Sequence, residues 1–205
     1  MIHDDFDGLG KSFSGVCIVG AGPVGITLAV ELERLKIPVL LLESGGHRQS
    51  DSIQALAEAD FATPDRHDDM SVATARALGG TSNLWGARCV IYDPVDFVPR
   101  PGLVNANWPI AYDDIFPHYA RACQIADAGD VVYSAPIPGV TCADDSFSFD
   151  TLERWANEQK LHVTHRKLLA RSPLIDVRLR CVVTDIGISP DGRAVSYTHL
   201  TLPTI

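Results

Sequence analysis

The sequence predicts an α/β fold built on a parallel sheet. Three observations carry this reading: two short apolar runs, residues 16–19 and 39–42, that read as strands; a helical apolar period between them; and a glycine-rich turn where the first strand meets the helix.

Taken in order, residues 1–14 are polar and acidic and are expected to form a disordered lead. Val16, Cys17, Ile18 and Val19 form a continuous apolar run between glycines, the pattern of a strand buried on both faces. Val24, Leu28, Leu32 and Leu35 then recur at helical spacing, with Glu31, Glu33, Arg34 and Lys36 on other faces. Pro38 stops the helix, and Val39, Leu40, Leu41 and Leu42 read as a second buried strand ending at Glu43. Strand, helix and strand in this order imply a right-handed parallel crossover. Residues 44–77 are expected to form a long loop with a short helix. A strand is expected over residues 88–92, and the prolines between residues 94 and 109 exclude a central strand there. Residues 112–127 and 150–170 are predicted helical, with Pro117 marking a start or kink. Residues 177–188 alternate in part, and Pro190, Asp191 and Gly192 supply turn chemistry, so a hairpin is expected.

Composition narrows the function. With 46% hydrophobic and 21% charged residues, the 205-residue chain is expected to bury a core rather than remain disordered. A net charge of -9 argues against nucleic acid as a partner, since phosphate binding needs clustered Lys and Arg. The five cysteines, Cys17, Cys89, Cys123, Cys142 and Cys181, show no CxxC spacing and are expected to be reduced, with Cys17 and Cys181 as buried thiols. The amino terminus matches neither a secretory signal nor a membrane anchor, so a cytoplasmic location without a membrane segment is expected. No metal site is expected: His162 and His165 share a helix face, but no nearby acid completes a ligand set. Gly10-Lys11-Ser12 lacks the first glycine and the strand of a P-loop, and no GxSxG is present.

The sharpest motif is Gly20-Ala21-Gly22-Pro23-Val24-Gly25 between the first strand and the helix. Gly20 permits a tight turn, Gly22 lets the main chain approach a pyrophosphate, and Gly25 allows close packing of helix on sheet. The helix amino terminus faces the phosphate with free N–H groups and partial positive charge. Glu43, roughly twenty residues on, is placed to accept hydrogen bonds from ribose hydroxyls, and its charge disfavours a 2′-phosphate. This unit does not separate FAD from NAD, and a glycine-rich turn without ligand is the alternative. A second motif is Gly79-Gly80-Thr81-Ser82-Asn83-Leu84-Trp85-Gly86-Ala87-Arg88. Alone it reads as a capped helix start; beside the first motif it supplies a second glycine turn to hold the rest of a long cofactor.

The second motif, followed by Tyr92-Asp93-Pro94-Val95-Asp96-Phe97, by Trp108-Pro109-Ile110 and by Tyr112 and Tyr119, resembles the amino-terminal half of glucose-methanol-choline (GMC) oxidoreductases, in the branch that includes pyranose oxidase. Arg171-Ser172-Pro173 with Val177, Val183, Thr184 and Ile186 is similar to the segment where such chains return to the FAD domain. The resemblance covers residues 15–195. It implies a Rossmann-like FAD/NAD(P)-binding domain with a parallel sheet plus the start of a substrate domain, and oxidation of a CH–OH group of a small alcohol or sugar by hydride transfer to flavin N5. Whether oxygen, a quinone or a cytochrome is the electron acceptor is not written in these motifs. By the same resemblance Gly20, Gly22, Pro23, Val24 and Gly25 lie along the FAD pyrophosphate, Glu43 on the ribose, and Val183 on adenine through its main chain. Gly80, Thr81 and Ser82 face the pyrophosphate and ribityl chain, and Asn83, Trp85 and Gly86 lie near the flavin ring. Members that bond flavin covalently use a histidine in this motif; Leu84 stands in that neighbourhood here, so FAD is expected to be non-covalent.

The expected organisation is a lead over residues 1–14, the first part of the FAD-binding domain over 15–100, the start of a substrate or lid region over 101–160, a return segment over 161–195, and a non-native tail over 196–205 that departs from the family where a hairpin strand should continue. The chain is therefore expected to be an incomplete copy, with the proton-accepting histidine in an absent carboxyl-terminal half and no turnover by itself. None of the seven histidines falls in a segment matching that site. Two further readings stand beside this one: an FAD-dependent aromatic monooxygenase, which residues 20–43 alone would suit, and a nucleotide-binding module without catalysis.

Overall fold

A computed structural model of the chain describes residues 1–5, 12–100, 102, 108–140 and 149–201. Its strands are β1 (Ile2–His3), β2 (Val16–Val19), β3 (Val39–Leu42), β4 (Arg88–Cys89), β5 (Arg154–Trp155), β6 (Ile175–Arg178), β7 (Cys181–Ile188) and β8 (Ala194–Thr201). Its α-helices are α1 (Pro23–Arg34), α2 (Asp51–Gln54), α3 (Met70–Ala73), α4 (Tyr112–Ile115), α5 (Tyr119–Ala126), α6 (Leu161–Thr164) and α7 (Arg166–Arg171). Cys142, Gly10, Lys11 and residues 202–205 of the expected tail lie outside the described residues. The chain divides into two units, Met1–Trp85 with Lys160–Ile205, and Gly86–Gln159.

The first unit is α/β. Its main sheet has the order β1-β6-β3-β2, with every neighbouring pair parallel, which is compatible with a Rossmann-like fold. β2, α1 and β3 form the crossover that the glycine and apolar patterns predict. β3 is central, and Val39, Leu40, Leu41 and Leu42 are all buried. Each such apolar side chain contributes on the order of 1.5–3 kcal/mol when fully buried. β2 departs from expectation: as the sheet's edge it buries only Ile18, leaving Val19 and Cys17 exposed, so Cys17 is not a buried thiol. Cys181 is buried, and burial pushes its thiol up to about 12.

α1 also turns differently. It buries Gly25, Ile26, Ala29 and Val30, while Val24 and Leu28 of the expected stripe face solvent. Both sets recur at helical spacing, and the small residues decide between them. A Cβ at Gly25 would run into the Gly20 carbonyl oxygen and lie 3.4 Å from Ile18 Cγ2, so the backbone comes this close to the strand only on its glycine and alanine side. The helix ends where Lys36 takes a left-handed conformation, φ 63°, ahead of Pro38.

The lead is not wholly disordered. β1 pairs with β6: the Val177 N–H donates to the Met1 carbonyl at 2.8 Å and the Leu179 N–H to the His3 carbonyl at 2.9 Å. A buried guanidinium explains the docking. Arg178 is 3% exposed, grips the Asp176 carboxylate through Nε (2.8 Å) and NH2 (3.0 Å), and donates NH1 to the Asp5 carbonyl at 3.1 Å. At the far end, β7 and β8 form an antiparallel hairpin with bulges at Val183/Asp185 and Gly187/Ile188. β8 continues pairing with β7 to Thr201.

The second unit opens at Gly86. Residues 86–100 belong to it because β4 pairs antiparallel with β5 and the Arg88 guanidinium grips Glu153 (Nε 2.7 Å, NH2 2.5 Å), while the Tyr92 N–H donates to the Tyr119 hydroxyl at 3.2 Å. The predicted strand over residues 88–92 shrinks to two residues. Pro117 separates α4 from α5 through a 3₁₀ turn, Phe116–His118, as its missing N–H requires. The helix expected from residue 150 starts only at Leu161; before it, Arg154–Trp155 is extended to serve β4. Among the described residues no helix is long and apolar enough to cross a membrane.

Candidate functional site

The end of β2 turns sharply at Gly20, whose φ of 100° is strained for any residue with a Cβ. Its N–H donates to the Leu42 carbonyl at 2.7 Å, tying the turn to the end of β3. Gly22 caps α1, with Pro23 in the first helical position, where its missing N–H costs nothing. No side chain caps this helix and its first turn holds no acid, so its leading N–H groups and positive dipole end are available to an anion. The space in front is open: a Cβ on Gly20 would meet nothing within 4 Å, and one on Gly22 only Gly80 Cα at 3.9 Å.

The second glycine turn is brought to the first. The Gly79 N–H donates to the Ala21 carbonyl at 2.8 Å, and a Cβ on Gly80 would lie 2.8 Å from Gly22 Cα. Gly79 and Gly80 both have positive φ, 97° and 53°, and the ring of His162 packs where a Gly79 side chain would stand. These backbones touch because neither glycine carries a side chain. Sequences 57 residues apart, read from Gly22 to Gly79, thus make one cradle.

Glu43 closes the cradle's far side. Its Oε2 accepts the Ala21 N–H at 2.8 Å, and its Oε1 accepts the Gly45 N–H at 2.8 Å and the Ser44 hydroxyl at 3.2 Å. Both oxygens therefore shape the turn itself, which the sequence reading did not foresee; the signal was Ser44-Gly45, a donor-rich turn directly after the acid. A carboxylate has about four acceptor positions, so these three bonds leave one unused. Burial pushes the Glu43 carboxyl above its ordinary value, and hydrogen bonds from Gly45, Ala21 and Ser44 and the Arg76 charge offset this only in part. Because the folded carboxyl titrates above the unfolded one, its contribution to stability is full below the unfolded value and is lost as pH rises through the folded value. Glu43→Ala leaves the buried Ala21 and Gly45 N–H groups without an acceptor and is expected to cost about 1–3 kcal/mol in urea unfolding.

The remaining predicted residues divide. Thr81 is exposed beside Gly80. Ser82 does not face outward: it is 2% exposed, donates to the Gly79 carbonyl at 2.6 Å and accepts the Leu161 N–H at 3.4 Å. The Asn83 amide donates to the Leu78 and Gly80 carbonyls at 3.1 and 2.9 Å, so it too holds the turn. Trp85 ends the first unit, and Gly86 belongs to the second. Val24 projects from α1 and is 82% exposed. Val183 pairs with His199 in the hairpin and packs on Leu40, Leu42 and Cys181, near the end of β3, where the Cys181 N–H donates to the Glu43 carbonyl at 2.8 Å. Among the described residues no group of three or more His, Cys, Asp or Glu is placed to hold a metal ion.

Compared with curated proteins, the chain is 29% identical over 115 residues to 6'''-hydroxyparomomycin C oxidase of Streptomyces lividus. The likeness points to an oxidoreductase. The matched part is 51% of this chain and 21% of that oxidase, so the chain spans about a fifth of the relative's length. No family model matches the chain.

Proposed function

We propose that the chain carries the FAD-binding portion of an oxidoreductase of GMC type, which takes a hydride from a CH–OH group of an alcohol or sugar. One observation carries the reading: the glycine turns at residues 20–25 and 79–80 share a single cradle, with open space before Gly20 and Gly22 and an uncapped helix behind it. A bare nucleotide site needs only the first turn, whereas a dinucleotide with a flavin ring needs support further along. The likeness to 6'''-hydroxyparomomycin C oxidase supports the redox reading.

The residues fit FAD. Leading N–H groups of α1 would meet the pyrophosphate, the main chain at Gly22 would approach it without a side chain in the way, and Glu43 would accept a ribose hydroxyl with its remaining acceptor position. When bound, the flavin supplies a hydride acceptor at N5. The chain's own part is to bind and orient, and no residue of the cradle is assigned a proton. Leu84, 49% exposed in the second turn, offers no nucleophile for a covalent flavin link. Acid precipitation of the flavin-loaded protein is therefore expected to leave yellow flavin in the supernatant; flavin retained in the washed pellet would overturn non-covalent binding.

The reading is tested by anaerobic titration of the flavin-loaded protein with alcohols and sugars in the absence of nicotinamide. Bleaching of the flavin supports CH–OH oxidation. Reduction only after NADPH is added would favour a monooxygenase instead.

A further inference from the structure

A cavity of about 440 Å³ in the first unit is lined by the apolar side chains of Ile2, Leu78 and Ala170 and by Arg166, Lys167 and Arg171, with two imidazoles, His47 and His162, completing it. Its size falls in the range of small-molecule sites. None of its residues is a glycine of the cradle, though Leu78 and His162 border the second glycine turn, and the inference does not rest on the proposed function.

The basic face is fixed by packing. Arg166, Lys167, Ala170 and Arg171 fall on one side of α7, and the helix is held in that rotation by Leu169, which is fully buried. Among the described residues no carboxylate lines the cavity, although the chain has 26 acidic against 17 basic residues. Among the described residues Arg166, Lys167 and Arg171 make no ion pair, while Arg34, Arg88, Arg100, Arg178 and Arg193 all do. Lys167 and Arg171 are four residues apart on the helix, where like charges repel. An anion would relieve this repulsion, and the apolar residues beside it would hold a carbon skeleton out of water.

We infer that this cavity binds a small organic anion, its apolar body against Ile2, Leu78 and Ala170 and its phosphate or carboxylate toward Arg166, Lys167 and Arg171. Phenyl phosphate and benzoate are the probes, with benzyl alcohol as a ring without charge and inorganic phosphate as a charge without a ring. Isothermal titration of the protein should show binding of at least one ring-bearing anion, weaker binding of inorganic phosphate and none of benzyl alcohol. Whichever anion binds names the acid class. In Lys167→Gln/Arg171→Gln, whose altered side chains are exposed so that an unchanged circular dichroism spectrum is expected, the affinity should fall about tenfold or more. Gly22→Val should leave it unchanged. The inference is overturned if neither ring-bearing anion binds, if the folded double variant binds as tightly as the parent, or if Gly22→Val abolishes binding, which would place the anion in the cradle.

Discussion

Gly25→Ala is expected to destabilise the first unit by about 3 kcal/mol and to lower its melting temperature by roughly 6–12 °C. The added methyl would overlap the Gly20 carbonyl oxygen and stand 3.1 Å from the Gly20 carbonyl carbon and 3.4 Å from Ile18 Cγ2. None of these is the free end of a flexible side chain. The carbonyl belongs to a turn whose N–H is already bonded to Leu42, and Ile18 is the buried residue of β2. Relief therefore requires α1 to lift off the sheet, loosening Ile26, Ala29 and Val30 together. Thermal unfolding followed by circular dichroism checks this, and a variant melting within two degrees of the parent, about 0.5–1 kcal/mol, would show that the close packing of α1 is not as described.

Gly22→Val is expected to behave in the opposite way, keeping the fold and losing the cofactor. Gly22 has φ of -78°, which any residue adopts, and its Cβ would find only Gly80 Cα at 3.9 Å. The valine side chain would instead fill the open space in front of the helix, where the pyrophosphate is proposed to lie. Losing two charge-assisted hydrogen bonds of about 1.5–3 kcal/mol each corresponds to an affinity for FAD weakened about 100-fold or more. Equilibrium titration of FAD into both proteins, with their melting curves alongside, measures the two effects separately. Unchanged FAD affinity in a folded Gly22→Val protein would remove the pyrophosphate from this turn.

These two glycines also show why part of the fold was legible. The β2–α1–β3 crossover is written locally: each apolar run, its glycines and its proline lie within about thirty residues, and steric limits on φ give the glycines meaning without reference to the rest of the chain. The face buried by α1 was not legible from period alone, because two stripes satisfy it and only contact with Gly20 and Ile18 chooses. β1 was missed for a related reason. Two residues carry no periodicity, and their partner Val177 lies at the other end of the sequence. Residues 154–155 were misread as helical because β4, their partner, is equally short and remote.

In the candidate site, the residue types of the second glycine turn were legible but their directions were not. Ser82 and Asn83 are donors that a ligand could use, yet the turn's own carbonyls at Leu78, Gly79 and Gly80 take them first. Short polar side chains compete for nearby backbone, and proximity wins.

The strand order β1-β6-β3-β2 governs how this chain must be made. β3 leaves the ribosome with β2 at one edge, but its other neighbour, β6, is encoded about 130 residues later, after the whole second unit. At about 5–20 residues per second that interval lasts roughly 6–26 s. Through it the inner edge of β3 presents unpaired backbone amides flanked by Leu40 and Leu42, a template that any extended apolar segment nearby could capture. The amino-terminal residues wait longest, since β1 docks only onto β6. Closing contacts so distant in sequence makes folding slow relative to a helical protein of the same size. Growth temperature and chaperone supply during synthesis are thus expected to govern the yield of native protein more strongly than the stability of the finished sheet does.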